Sequence, residues 1–281
     1  MTAANWAEKW VFAGLAVLTC GAVAGADVAV FKEAAATPII GGTYTGAEDV
    51  MLVNNAGGAT DQNFGGRADF EVGEVPAGPL ELRHTLMRFD VSPLAGRFAI
   101  IDGVTLRLYP TVVQSTTPDA LQVFRLSNSN TGWVEGTGVT AGIADPPDNG
   151  QSTWLARVQG SATWAGSFGA SVPGLDYSEL LGSATFNNAT GIGGSSPFDV
   201  VLNPALVNSM VSAWAAGSNS GLFLRTAAES EQNIAFSSAE ASNPALHPEL
   251  IVTYRTEIPE PAAGTLAWAA AMILGIRRSR R

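Results

Sequence analysis

Carboxylates, two imidazoles and a few loop tryptophans are the side chains of this 281-residue chain best placed to do chemistry. Paired acids carry the most weight, because glycoside hydrolysis needs two carboxyl groups set apart in space, not at a fixed interval in sequence. Glu135, two residues after Trp133, and Glu240, after Ser237-Ser238, are the acids that stand out. Their other role is structural: a carboxylate buried in a sheet protein needs hydrogen bonds or a cation, and Arg88 is a suitable partner. His84 lies in a strand-like run and His247 precedes Pro248. Neither has a motif partner, and a general base needs a positioned nucleophile or proton donor. Gly217-Ser218-Asn219-Ser220-Gly221 comes nearest to the serine elbow Gly-x-Ser-x-Gly, but Asn219 stands where the nucleophile must be. No catalytic residue is assigned on these grounds.

Metal patterns are equally sparse. There is no His-x-x-x-His pair and no cysteine cluster, so no zinc pattern and no metal site is expected. Asp145-Pro146-Pro147-Asp148-Asn149-Gly150 offers oxygens without the alternating ligand spacing of a calcium loop, and reads as a proline/glycine turn. Trp154 and Trp164 sit in a Gly/Ser-rich stretch. Two readings are open for them: anchors that a long loop needs to stay ordered, or an apolar platform for the flat face of a sugar ring. They are the candidate glycan-binding pair.

The balance of residues bounds the class of function. Charged residues are 14% of the chain and hydrophobic ones 46%, so it folds, and 31 Gly with 15 Pro favour short strands and turns over long surface helices. A net charge of -10, with no lysine after Lys32, leaves no basic surface for nucleic acid or for broad capture of acidic polysaccharide.

Both ends read as addresses, not as fold. Residues 1–26 carry Lys9, an apolar run and small residues at Ala22-Val23-Ala24 and Ala24-Gly25-Ala26, the pattern of a cleaved signal peptide. Cys20, the only cysteine, lies inside it, so the mature chain is expected to have no disulfide. Residues 256–281 place Pro259-Glu260-Pro261 before an uncharged stretch from Ala262 to Ile276, followed by Arg277, Arg278, Arg280 and Arg281. At about 1.5 Å per residue that stretch spans roughly 22 Å, short of a hydrocarbon core of about 30 Å, and the arginines would stall it on the cytoplasmic side. The order of the three parts closely resembles the PEP-CTERM sorting signal of exopolysaccharide-producing Gram-negative bacteria. That resemblance implies transient inner-membrane association, cleavage by an exosortase-type membrane protease, and delivery to the cell surface or extracellular matrix.

Between the ends, residues 27–40 read as a short linker and 41–255 as one domain. Period-two alternation recurs, as in Val104, Leu106 and Leu108 against Thr105, Arg107 and Tyr109. Comparable runs span 49–53, 82–89, 121–126, 198–202, 221–225 and 249–254, each bounded by turn residues. One helix is expected after Asn203-Pro204, with Leu206, Val207, Met210, Val211 and Trp214 on one stripe. The fold class is thus all-β, a single antiparallel β-sandwich with one short helix.

The order Asn54-Asn55-Ala56-Gly57, Phe64-Gly65, Leu86 to Asp90, Val104 to Tyr109, Trp133 to Gly136, Gly221 to Leu224, Phe236 to Glu240 and Pro248 to Tyr254 is similar to that of DNRLRE-domain proteins. These are disaggregatase-related modules. The resemblance implies a jelly roll and noncatalytic binding of carbohydrate, exopolysaccharide here. It makes Glu135 and Glu240 framework positions and leaves a structural calcium open, without a motif. The region between Gly136 and Ser196 looks like an insertion. Two other functions stay open: a polysaccharide hydrolase or lyase, and a purely structural matrix component.

Overall fold

The structure is a computed structural model that describes residues 25–55, 61–75, 81–115, 117–139, 150–187, 196–230 and 232–256. Residues 1–24 of the leader, the sorting motif, the terminal arginines, Asp145 and Asp148 lie outside the described residues. Among the described residues, fourteen strands and one α-helix follow in the order β1 (Asp27–Lys32), β2 (Ala36–Thr37), β3 (Gly42–Thr43), β4 (Ala47–Asn55), β5 (Asp69–Val75), β6 (Glu81–Phe89), β7 (Ile100–Leu108), β8 (Pro110–Gln114), β9 (Asp119–Leu126), β10 (Tyr177–Phe186), β11 (Phe198–Leu202), α1 (Pro204–Ala215), β12 (Leu222–Thr226), β13 (Asn233–Ser237) and β14 (Glu249–Arg255). The protein is all-β, with antiparallel pairing throughout the named strands.

A four-stranded sheet has the order β1-β14-β7-β11, and a larger one runs β10-β9-β12-β6-β5-β13-β8 with β4 added on β6. Alternation along the strands gives each sheet an apolar inner face, and these inner faces share a core. Val104, Leu106 and Leu108 meet Leu250 and Val252 there, together with Val72, Met87, Leu121 and Phe236 from the larger sheet. Helix α1 adds Val207, Met210, Val211 and Trp214 to the same core. Asn203 caps it, Oδ1 accepting the Ala205 N–H at 3.0 Å, and Pro204 occupies its first turn.

Strand β6 forks the larger sheet. One of its edges pairs with β4 from Phe89 to Glu81, while the other pairs with β12 at Thr85–Met87 and with β5 at Glu81–Arg83. Gly73 sits at that fork with φ +104°, where a Cβ would lie 2.1 Å from the Gln232 carbonyl oxygen. Only glycine fits there.

Two expectations are corrected. Residues 27–40 are not a linker: β1 pairs with β14 along Asp27–Lys32 and buries Ala29 and Phe31 in the core. Its inward side chains alternate with exposed ones over too few residues to stand out in sequence. The apparent insertion is also not a simple loop. Trp133, Trp154, Trp164, Ala170 and Tyr177 cover the outer face of the larger sheet, packing on Val50, Leu52, Leu86, Leu126 and Phe223 as a second apolar cluster.

Candidate functional site

The three elements that converge on Glu135 are the start of β4, the segment from Trp133 to Gly138 and the turn after β13. Strand β4 is an edge of the larger sheet, and its outward N–H groups need acceptors. Glu33 accepts the N–H of Ala47 at 3.2 Å, and Glu135 Oε1 accepts that of Asp49 at 2.7 Å. The side chain of Asp49 is buried, and its Oδ2 accepts the N–H of Ala239 at 2.9 Å. That bond draws the following residue, Glu240, toward Glu135, and their carboxylate oxygens come within 4.8 Å of each other.

Asn63 fixes the Glu135 segment from behind. It is buried, donating through Nδ2 to the carbonyls of Glu135 (2.6 Å) and Ser152 (2.8 Å), while Oδ1 accepts from Gly65 (3.1 Å) and Gly138 (3.0 Å). The chains touch closely here, since a Cβ on Gly65 would lie 2.0 Å from the Glu135 carbonyl oxygen.

Asp49, Glu135 and Glu240 thus each place a carboxylate oxygen within 4.8 Å of the others. Three oxygens at that spacing suit a hard cation such as calcium, completed by backbone carbonyls or water. Without a cation, like charges in a desolvated place hold protons. Burial, then the neighbouring Glu240, pushes Glu135 up to about 9. Burial is also the main cause of the upward shift of Asp49, which faces Glu240 as well, and partial desolvation raises the exposed Glu240. The nearby His247 opposes the shift of Glu240.

Glu135 also lines an open groove of about 580 Å³, together with Glu48, Arg88, Trp133, Val134, Gly136, Thr137, Gly150 and Gln151. This falls in the size range of small-ligand sites, about 300 to 1,000 Å³. Gln151 and Thr137 meet across it only loosely, at 3.4 and 3.5 Å, so ligand hydroxyls can replace those contacts at little cost.

The sequence-predicted residues distribute unevenly around this site. Glu135 and Glu240 are brought together, and Arg88 lies nearby but pairs with Glu48 and not with either of them. The reason is register: Glu48 on β4 is directly opposite Arg88 on β6. The Arg88 guanidinium also stacks 4.6 Å over the Trp133 ring, whose Nε1–H donates to the Ser220 carbonyl at 2.9 Å.

Trp154 and Trp164 do not form an exposed platform, which corrects that expectation. They are 6% and 4% exposed. Trp164 donates to the carbonyls of Thr153 and Trp154 at 3.1 Å each, and Trp154 lies against His84 with ring centres 5.1 Å apart. The cover layer needs its own core, and these indoles provide it.

Both histidines are buried, with each ring nitrogen facing an oxygen. His84 lies 2.8 Å from the Gly169 carbonyl and 2.8 Å from Glu229; His247 lies 3.1 Å from the Glu33 carbonyl and 2.7 Å from that of Ala241. They tie loops to strands. Sequence reasoning missed Glu48, Asp49, Asn63 and Gln151, whose isolated polar types carry no motif; their only signal is nearness to the Trp133-to-Gly136 segment in the fold. It also missed Asp176, fully buried in the cover layer, which accepts the N–H groups of Gly166, Ser167 and Val172 and the amide of Asn130. Among the described residues no helix is long and apolar enough to cross a membrane. Comparison with known protein families and with characterised proteins finds no match to this chain.

Proposed function

We propose that residues 27–255 form a jelly-roll-type, noncatalytic carbohydrate-binding module of an exported cell-surface or extracellular-matrix protein. The observation that carries this reading is the open groove beside Glu135, walled by an amide, a hydroxyl, backbone groups of two glycines, two carboxyl groups and a guanidinium. Sugars are recognised by such convergent polar groups on a rigid apolar support, and the cover layer supplies that support.

The acids favour binding over hydrolysis. Retaining glycosidases separate their carboxyl groups by about 5 to 5.5 Å and inverting ones by more, leaving space for the scissile bond or water. Glu135 and Glu240 bring carboxylate oxygens within 4.8 Å of each other, closer than either spacing. The proposed route to the surface rests on the Pro259-Glu260-Pro261 tail and its terminal arginines, with an exosortase-type protease as processing partner and extracellular polysaccharide as ligand.

Affinity electrophoresis of the mature protein through gels containing the producer's exopolysaccharide, with a parallel assay for new sugar ends, tests the reading. Retardation without new reducing or unsaturated ends is expected. Released ends would make it a hydrolase or lyase, and an absence of retardation on every glycan tried would leave a structural matrix component.

A further inference from the structure

We propose that Glu48 sets the specificity of this groove: by engaging Arg88 it withholds the guanidinium from ligands, so the groove takes uncharged sugar rings and rejects uronates and sulfated sugars. The inference rests on the carbohydrate-binding reading above and deepens it.

Among the described residues that line the groove, Arg88 is the only cationic side chain. A free guanidinium is the usual receptor for a carboxylate or sulfate, which it grips through parallel N–H donors. Here it is held on two sides. Glu48 faces it across the β4–β6 pair and takes its Nη2–H, and the Trp133 ring lies beneath it, 4.6 Å from the guanidinium carbon to the ring centre. Trp133 is itself locked by its bond to Ser220 and by the second apolar cluster, so Arg88 has no soft wall into which to swing.

The rest of the lining repeats the same preference. Glu135 adds a carboxyl group and no cation, and Asp49 and Glu240 lie beside it. Gln151, Thr137 and the backbone of Gly136 and Gly150 present groups that exchange hydrogen bonds with hydroxyls. An anionic sugar entering the groove would meet carboxyl groups and a cation already neutralised. The chain's net charge of -10 adds a long-range barrier to an anionic polymer at low salt.

The test compares polygalacturonate with the same polymer after its carboxyl groups have been reduced to alcohols, by affinity electrophoresis on the wild-type protein and on Glu48→Gln. The wild type is expected to bind the reduced polymer and not the uronate. Glu48→Gln, which keeps the shape but frees the guanidinium, is expected to bind polygalacturonate about tenfold more tightly than wild type does, the gain of one charge-assisted contact. Glu48→Gln/Arg88→Met is expected to lose that gain, and melting curves of all three proteins establish that they are folded. Wild-type binding of polygalacturonate as tight as that of the reduced polymer would overturn the inference while leaving the carbohydrate reading intact. An unchanged profile in folded Glu48→Gln would overturn the role of Glu48. Binding of neither polymer, nor of any other neutral glycan, would overturn both readings.

Discussion

Replacing Glu135 by Gln should stabilise the protein in a chelating buffer near neutral pH. Glu135 is pushed from 4.5 to about 9 by burial and by Glu240, so the folded state holds a proton that the unfolded chain gives up. Each unit between the unfolded pKa and the working pH costs about 1.4 kcal/mol, so at pH 7 the native state forfeits roughly 3 kcal/mol. Glu135 is partly open to the groove and shares its protons with two neighbours, which reduces the expected gain to about 1 to 2 kcal/mol. Glutamine needs no proton: its carbonyl can accept the Asp49 N–H that Glu135 accepts now, and its amide sets a donor beside the carboxyl groups of Asp49 and Glu240. The pH dependence has a definite sign. A carboxyl group whose folded pKa is raised binds more protons when folded, so wild-type stability falls as pH rises from about 4.5 toward 9. Urea melts of both proteins at several pH values should show a steeper decline for wild type and a flatter one for Glu135→Gln. A variant that is less stable than wild type at pH 7, with an undiminished slope, would refute the reasoning and mean that Glu135 is ionised in the native state.

Other substitutions separate support from recognition. Trp154→Ala should cost about 3 to 5 kcal/mol in urea melts, as expected for a buried indole, and folded protein at low temperature should still bind glycan normally. Asp176→Ala should cost about 3 kcal/mol, because it strands several buried donors, and should raise hydrogen exchange first at Gly166, Ser167 and Val172. Asn203→Ala should lower stability by about 1 kcal/mol by removing the cap of α1. Intact-mass measurement on protein from the native host should show loss of residues 262–281, and a mature species that keeps Arg281 would contradict the sorting assignment.

Strands and helix were legible where one face is buried and the other wet. Strand β7 alternates cleanly because its outward residues Thr105 and Arg107 stay accessible while Val104, Leu106 and Leu108 enter the core. Strand β13 is buried along its whole length and β10 carries register shifts, so neither has a period to read. The cover layer was illegible for a related reason: irregular backbone has no repeat that distinguishes a buried tryptophan from an exposed one. The acid cluster had two members visible as single residues, Glu135 and Glu240. Their meeting with Asp49 depends on contacts across 86 and 190 residues, which only the completed sheet brings about. The partner of Arg88 was missed because β4 and β6 are not consecutive strands, so their register cannot be read from a hairpin turn.

Carbohydrate binding in the groove beside Glu135 is tested most directly by mapping amide and indole chemical shifts of the isotopically labelled domain as the retarding glycan is added. The largest changes are expected to cluster at Trp133, Val134, Gly136, Thr137, Gly150 and Gln151, with the buried amides around Trp154 and Trp164 unmoved. Saturable changes confined to another face of the sheets, with the groove silent, would contradict it.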